Sequence, residues 1–295
     1  MIKNENYVNI ITRKSILSEL WLHVVQPILP ALELQTGGNE LPRIWWCPTG
    51  PATFLPIHAA GLYDTKERGH KITDFAVSSY TPTVGALFKG SHSAPPEMPK
   101  LLTIAQPYGR SALPGTLDEV RRIEARAKNA NITSLVDSQA TVEEVLRGMT
   151  ESHWVHFACH GVQDKRSPTD SSLILADEAR LKLSDIIDLA LPHSELAFLS
   201  ACQTATGYEL LSEEAIHLAA GMLLAGYQGV IATMWSIMDR EAPHVAEDFY
   251  ERLFGEERAD HRRAAHALHY AVERLRNSKG GRSFLSWVPF VHMGV

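Results

Sequence analysis

The chain has 295 residues, of which 45% are hydrophobic and 21% charged, and its 28 Lys and Arg against 34 Asp and Glu leave a formal charge of −6. Those proportions fit one large globular domain or two sharing a core, and without a Lys/Arg-rich block they offer no basic face to nucleic acid. No run of about 18 apolar residues spans a membrane, and the start, MIKNENYVNIITRKSILSELW, lacks the apolar stretch and cleavage site of a secretory signal, so a cytoplasmic location is expected.

Thr12 to Leu29 carries Ile16, Leu17, Leu20, Val24 and Ile28 at helical spacing, and Pro27 and Pro30 are expected to end that helix. Arg43 to Cys47 reads as a strand, Pro48 to Pro51 as a turn, Phe54 to Ile57 as a short return strand and Asp74 to Tyr80 as another strand. Gly90 to Pro99 is rich in Gly, Ser and Pro and reads as a linker. It divides an N-terminal part, residues 1–100, from residues 101–295.

Beyond the linker the pattern is regular. Leu101 to Ala105 is a short apolar strand, and Leu117 to Ala130 a helix with an acidic start that suits its dipole. Thr141 and Glu144 have the spacing of a capping box at the start of a further helix. Strands are expected at Trp154 to Cys159, Leu173 to Leu175, Ala197 to Ala201, Gly229 to Trp235 and Trp287 to Met293. Helices are expected at Glu213 to Ala225, Ala242 to Leu253 and Arg262 to Leu275, with a loop from Asn277 to Ser283. Strands apolar on both faces, alternating with helices, imply an α/β sheet covered on both sides. In such sheets the reactive groups sit at the carboxyl ends of the strands.

Two of these strands end in the residues a thiol hydrolase needs. One runs into His160 and Gly161, the other into Cys202. Parallel neighbouring strands would bring these ends together. An imidazolium beside a thiol favours the nucleophilic thiolate, and the same ring then protonates the leaving amine. The oxyanion needs backbone donors. Gly161, with no side chain to block approach, and Cys202 supply two candidate N–H groups. Cys202 taken alone also fits a buried core thiol, and His160 a structural histidine. Cys159 alternates away from His160 on its strand and reads as core.

His153, His156, Cys159 and His160 are close in sequence, but on a strand His156 and His160 lie roughly 13 Å apart. One zinc ion needs its ligands at about 2.0–2.3 Å, so no metal site is expected, and no cofactor. His156 is expected to pack or hydrogen-bond beneath the site. Phosphate-binding loops, serine-nucleophile elbows and His-Glu-x-x-His helices are missing from the sequence.

The segments HFACHG, ending at Gly161, and SACQTA, around Cys202, resemble the two signature motifs of the CHAT family, caspase-like peptidases related to separase. Supporting similarities run from Trp46 through Pro56, at Tyr80 to Thr83, at Leu113-Pro114-Gly115 with Asp118-Glu119-Val120, at Trp235 to Asp239 and at Trp287 to Gly294. The resemblance implies a caspase-like, mostly parallel sheet flanked by helices, with an N-terminal non-catalytic subdomain. It implies peptide-bond hydrolysis by a Cys202–His160 dyad. It also places Asp239 in the pocket for a basic residue before the scissile bond, where a carboxylate suits a guanidinium. Asp239 equally fits an N-cap for the helix from Arg240 onward. The expected partners are a protein or peptide substrate and a regulatory repeat-containing protein or domain. The chain starts near the start of the family's own domain, so no attached repeat is expected within it. The alternative function is a latent or inactive module that acts by binding.

Overall fold

The computed structural model describes residues 16–38, 40–88, 94–109, 112–162, 164, 166–200, 202–203, 215–255, 258–278 and 283–295, with backbone alone at 202–203 and 215–217. Residues 16–28 form helix α1, followed by strands β1 (Arg43–Trp46), β2 (Val77–Tyr80) and β3 (Lys100–Ala105). Helix α2 (Gly115–Arg126), strand β4 (Asn131–Val136), helix α3 (Val142–Glu151) and strands β5 (Trp154–Ala158), β6 (His160–Val162), β7 (Ser172–Ile174) and β8 (Arg180–Lys182) come next. The remainder is α4 (Leu183–Asp188), β9 (Leu196–Leu199), β10 (Cys202–Gln203), α5 (Ala215–Ala225), β11 (Gly229–Thr233), α6 (Ala242–Phe254), α7 (Ala264–Asn277), α8 (Phe284–Trp287) and β12 (Phe290–Gly294).

The main sheet has the order β1-β2-β12-β11-β9-β5-β3-β4. Strands β11, β9, β5, β3 and β4 all run parallel. Strand β12 is antiparallel to β11 and parallel to β2, which is parallel to β1. The sheet is therefore mostly parallel, as the resemblance implies, and it carries helices on both faces, as the alternation of apolar strands and helices predicts. Both parts on either side of the expected linker supply strands to it.

Alternating side chains build two cores. Trp154, Leu196 and Phe198 join α2, α6 and α7 on one face through Ile123, Val245, Phe249 and Ala271. Val155, Phe157, Ala197 and Leu199 face the other side with Trp21, Val145, Met149, Ile186 and Met222. Thr141 caps α3 as expected, its side chain accepting the Glu144 N–H at 3.2 Å.

Several expected elements differ. Helix α1 continues through Pro27, and it buries Leu17, Leu20, Trp21 and Val25 while Ile16 and Val24 stay exposed. The stretch Trp21–Val25 is a π-helix. Its wider turn takes an extra residue, so the buried stripe passes from Trp21 to Val25. Phe54 to Ile57 does not form a strand. Two 3-10 turns, Gly50–Phe54 and Ile57–Ala59, occupy the region, where Pro51 and Pro56 lack the N–H groups a ladder needs.

Helix α2 stops at Arg126 and is followed by β4, which is an edge strand of half-buried and exposed residues. Its Asn, Thr and Ser content hides it from a search for apolar runs. Trp287 closes the short helix α8 and the last strand begins at Phe290. Thr12 to Ser15, residues 90–93 of the expected linker, Ala201, Glu213 and residues 279–282 lie outside the described residues.

Candidate active site

Strands β3, β5, β9 and β11 are consecutive neighbours and parallel, so their carboxyl ends emerge at one edge. The four segments leaving that edge carry Gly115, His160, Cys202 and Asp239 respectively. This is the edge at which open α/β sheets place their reactive groups.

Beyond their ends, β5 and β9 are prolonged by β6 and β10 into a second sheet, ordered β10-β6-β7-β8. There the chain pairs β10 with β6 in parallel, with Cys202 the register partner of His160 and Gln203 the partner of Gly161. Backbones of paired strands are about 4.8 Å apart. The topology thus brings together the two residues that the motifs single out. His160 is buried, with 8% of its surface exposed, and its register partner on the other side is Ile174. Gly161 lies between Gln203 and Leu173.

Asp239 is half-buried and follows β11. Its Oδ2 accepts the N–H of Gly115 at 2.9 Å. Gly115 is the first residue of α2, whose N-cap, Pro114, has no side-chain acceptor. Asp239 therefore supplies from a distant loop the acceptor that an orphan N–H at a helix start requires. It does not cap the helix that follows it: the N-cap of α6 is Glu241, whose side chain makes no capping bond.

Beneath the strand ends lies a buried polar cluster. Glu119 Oε1 on α2 is 3.0 Å from His156 Nε2 on β5. The Tyr250 hydroxyl on α6 is 3.3 Å from His156 Nδ1. With Nε2–H donating to the carboxylate, Nδ1 is left to accept from Tyr250, so each group has a partner suited to it. Burial, and next the charge of Glu119, push the Tyr250 hydroxyl well above its ordinary pKa. The His156 ring stacks on Phe198 of β9 with centroids 4.6 Å apart. The cluster ties α2 and α6 to the two strands that lead to His160 and Cys202. The need of a buried histidine for a partner is legible in the sequence; that Glu119 and Tyr250 supply it is not.

The other residues of the histidine-rich stretch have separate surroundings. His153 Nδ1 accepts the Lys100 N–H at 3.0 Å. Cys159 is fully buried in the core on the face of Phe157 and Leu199. Cys47, by contrast, is exposed.

The CHAT domain family model matches residues 14–295. Among solved structures, the chain is similar to the complex of RgpB pro- and mature domains from Porphyromonas gingivalis, at 12% identity over 92% of this chain and 69% of that one, with a TM-score of 0.57. It is similar to the Arg-specific cysteine proteinase gingipain R at 12% identity over 92% and 67%, with a TM-score of 0.56. The Saccharomyces cerevisiae separase in complex with securin aligns at 14% identity over 76% of this chain and 14% of that one, with a TM-score of 0.48. No curated protein matches the chain. The gingipain likenesses describe a shared fold, the caspase-like sheet with flanking helices. Among the described residues, no helix is long and apolar enough to cross a membrane.

Proposed function

Because this chain belongs to the CHAT domain family, we propose that it is a cysteine endopeptidase in which Cys202 is the nucleophile and His160 its acid–base partner. The observation that supports this most is the parallel register of Cys202 with His160 at the carboxyl ends of adjacent strands. In this reading His160 takes the Cys202 proton as the sulfur attacks the substrate carbonyl carbon. The carbon–nitrogen bond then breaks, and the imidazolium returns the proton to the departing amine. Water, deprotonated by the same ring, hydrolyses the thioester and restores the thiol. The backbone N–H groups of Gly161 and Cys202 are assigned to the oxyanion.

Asp239 is assigned to the pocket for a basic residue before the scissile bond. Its carboxylate stands on the segment after β11, at the sheet edge that also carries His160 and Cys202, and a carboxylate suits a guanidinium or ammonium group. The part up to residue 100 serves as a non-catalytic support, since β1 and β2 extend the sheet away from the strands that carry the dyad. The enzyme acts in the cytoplasm on a protein substrate, under control of a partner protein or an attached repeat domain.

The test is cleavage of a mixed-position fluorogenic peptide library by the purified chain beside Cys202→Ala and His160→Ala. Cleavage lost in both variants, with Arg or Lys before the cut, is the expected result. Dyad-dependent cleavage after another residue type would remove the pocket assignment and keep the enzyme. Silence of every variant, with or without candidate activating partners, would favour a module that acts by binding.

A further inference from the structure

We propose that Gly115 is a specificity-positioning residue, which seats the Asp239 carboxylate in the orientation that a basic substrate side chain meets. This inference rests on the peptidase reading above. Its physical basis is one close approach. A Cβ placed on Gly115 would lie 2.7 Å from the Asp239 Cγ, Oδ1 and main-chain oxygen, a separation that ordinary packing excludes. Glycine is therefore required for the contact and not for any unusual backbone angle at that position.

The helix carrying Gly115 is held in place from behind. Glu119, one turn on, is fixed to His156 at 3.0 Å. Arg122 and Arg126 each reach Glu247 of α6 at 2.6 Å. An added methyl group at Gly115 thus displaces the Asp239 loop before it displaces α2. The contact joins the segment after β3 to the segment after β11, the strands that flank β5 and β9 with His160 and Cys202 at their ends. Oδ2 accepts the Gly115 N–H, and in this reading Oδ1 receives the cation. The carboxylate also stands at a helix N-terminus, where the dipole favours negative charge. The Leu113-Pro114-Gly115 segment thereby acquires a task in substrate choice, although it is remote in sequence from both signature motifs.

The experiment compares kcat/KM for matched peptides with Arg or Gln before the scissile bond, in the wild-type chain, Gly115→Ala and Asp239→Glu. Asp239→Glu keeps the charge but moves the carboxylate past the Gly115 N–H, and it carries the test if Gly115→Ala does not fold. The ratio of the two substrates is read within one sample, so partial unfolding cancels. The ratio is expected to fall by roughly ten- to a hundredfold in each variant, the worth of one hydrogen bond to a charged group. Most of the change should appear in KM for the Arg peptide. In Gly115→Ala/Asp239→Asn the loss should not exceed that of Asp239→Asn alone, because the two residues act as one unit.

Equal losses for both peptides in Gly115→Ala, or an unchanged ratio in Asp239→Glu, would overturn this inference while leaving the peptidase intact. Failure of the wild-type chain to give any Cys202-dependent cleavage, with or without candidate activating partners, would overturn the peptidase reading and this inference together.

Discussion

The Glu119 carboxylate lies 3.0 Å from the His156 ring, and neither side chain has more than 1% of its surface exposed. A buried pair of this kind is worth little net, but removing one partner leaves the other desolvated and unbonded. Glu119→Ala is expected to lower unfolding stability by about 1–3 kcal/mol. Glu119→Gln keeps an acceptor for the ring and should cost less. Urea unfolding of the two variants beside the wild type checks the order.

Phe198 sits at the centre of the same face. It stacks on His156 at 4.6 Å and meets Phe249 edge-on at 5.2 Å. Phe198→Ala should destabilise the chain by about 3–5 kcal/mol through lost contact and a residual cavity. Phe198→Leu, which refills part of the space, should recover much of that loss in the same unfolding assay. Because Phe198 is on β9, the alanine variant is also expected to lower Cys202-dependent peptidase activity at temperatures where the chain remains folded.

The fold should weaken in mild acid, and His58 is one reason. Its Nε2 is 2.8 Å from the Val288 carbonyl and its Nδ1 is 2.8 Å from the Tyr80 hydroxyl. Burial lowers its pKa from 6.5 to about 4, against a smaller opposing effect of the Val288 bond. The unfolded chain binds a proton below about 6.5 that the folded chain refuses until about 4. The stabilisation is thus complete above the unfolded value and is lost as pH falls through this window. Between pH 7 and 5 this one group should cost about 2 kcal/mol. His292 is shifted down in the same sense by burial and then by Arg43, so its contribution adds. Unfolding midpoints at both pH values, for wild type and His58→Gln, test this; the variant should show a shallower loss.

The cysteines should differ in reactivity. Cys159 is buried and is expected to stay unmodified by iodoacetamide until the chain unfolds, whereas exposed Cys47 should react in the folded chain. In a Cys47→Ser background the remaining reaction at neutral pH should belong to Cys202. Replacing His160 by Ala should slow it, because the ring no longer favours the thiolate. Peptide mapping of the alkylated sites reads each rate separately.

Much of the fold, and the placing of the candidate site at its strand ends, is legible in the sequence where the apolar pattern is unbroken. Trp154 to Ala158 and Leu196 to Leu199 are buried on both faces, so their runs stand out. The residues just past their ends are then the natural place for chemistry. Strand β4 is hidden because an edge strand keeps its outer face polar. The site's supporting contacts are harder to see. Glu119 with His156, and Gly115 with Asp239, are 37 and 124 residues apart. A local pattern indicates that each needs a partner and does not say which residue supplies it. Asp239 illustrates the point: the sequence suggests a cap for the next helix, whereas the cap it provides belongs to α2. The widening of α1 into a π turn also escapes a fixed helical period, which is why Val25 and not Val24 enters the core.

An arginine-ending peptidyl chloromethyl ketone, with the adduct located by mass spectrometry, tests Cys202 as nucleophile and His160 as its partner. A covalent adduct is expected on Cys202 of the folded chain, lost in Cys202→Ala and strongly reduced in His160→Ala. An adduct confined to Cys47, or labelling of Cys202 at the same rate with and without His160, would contradict it.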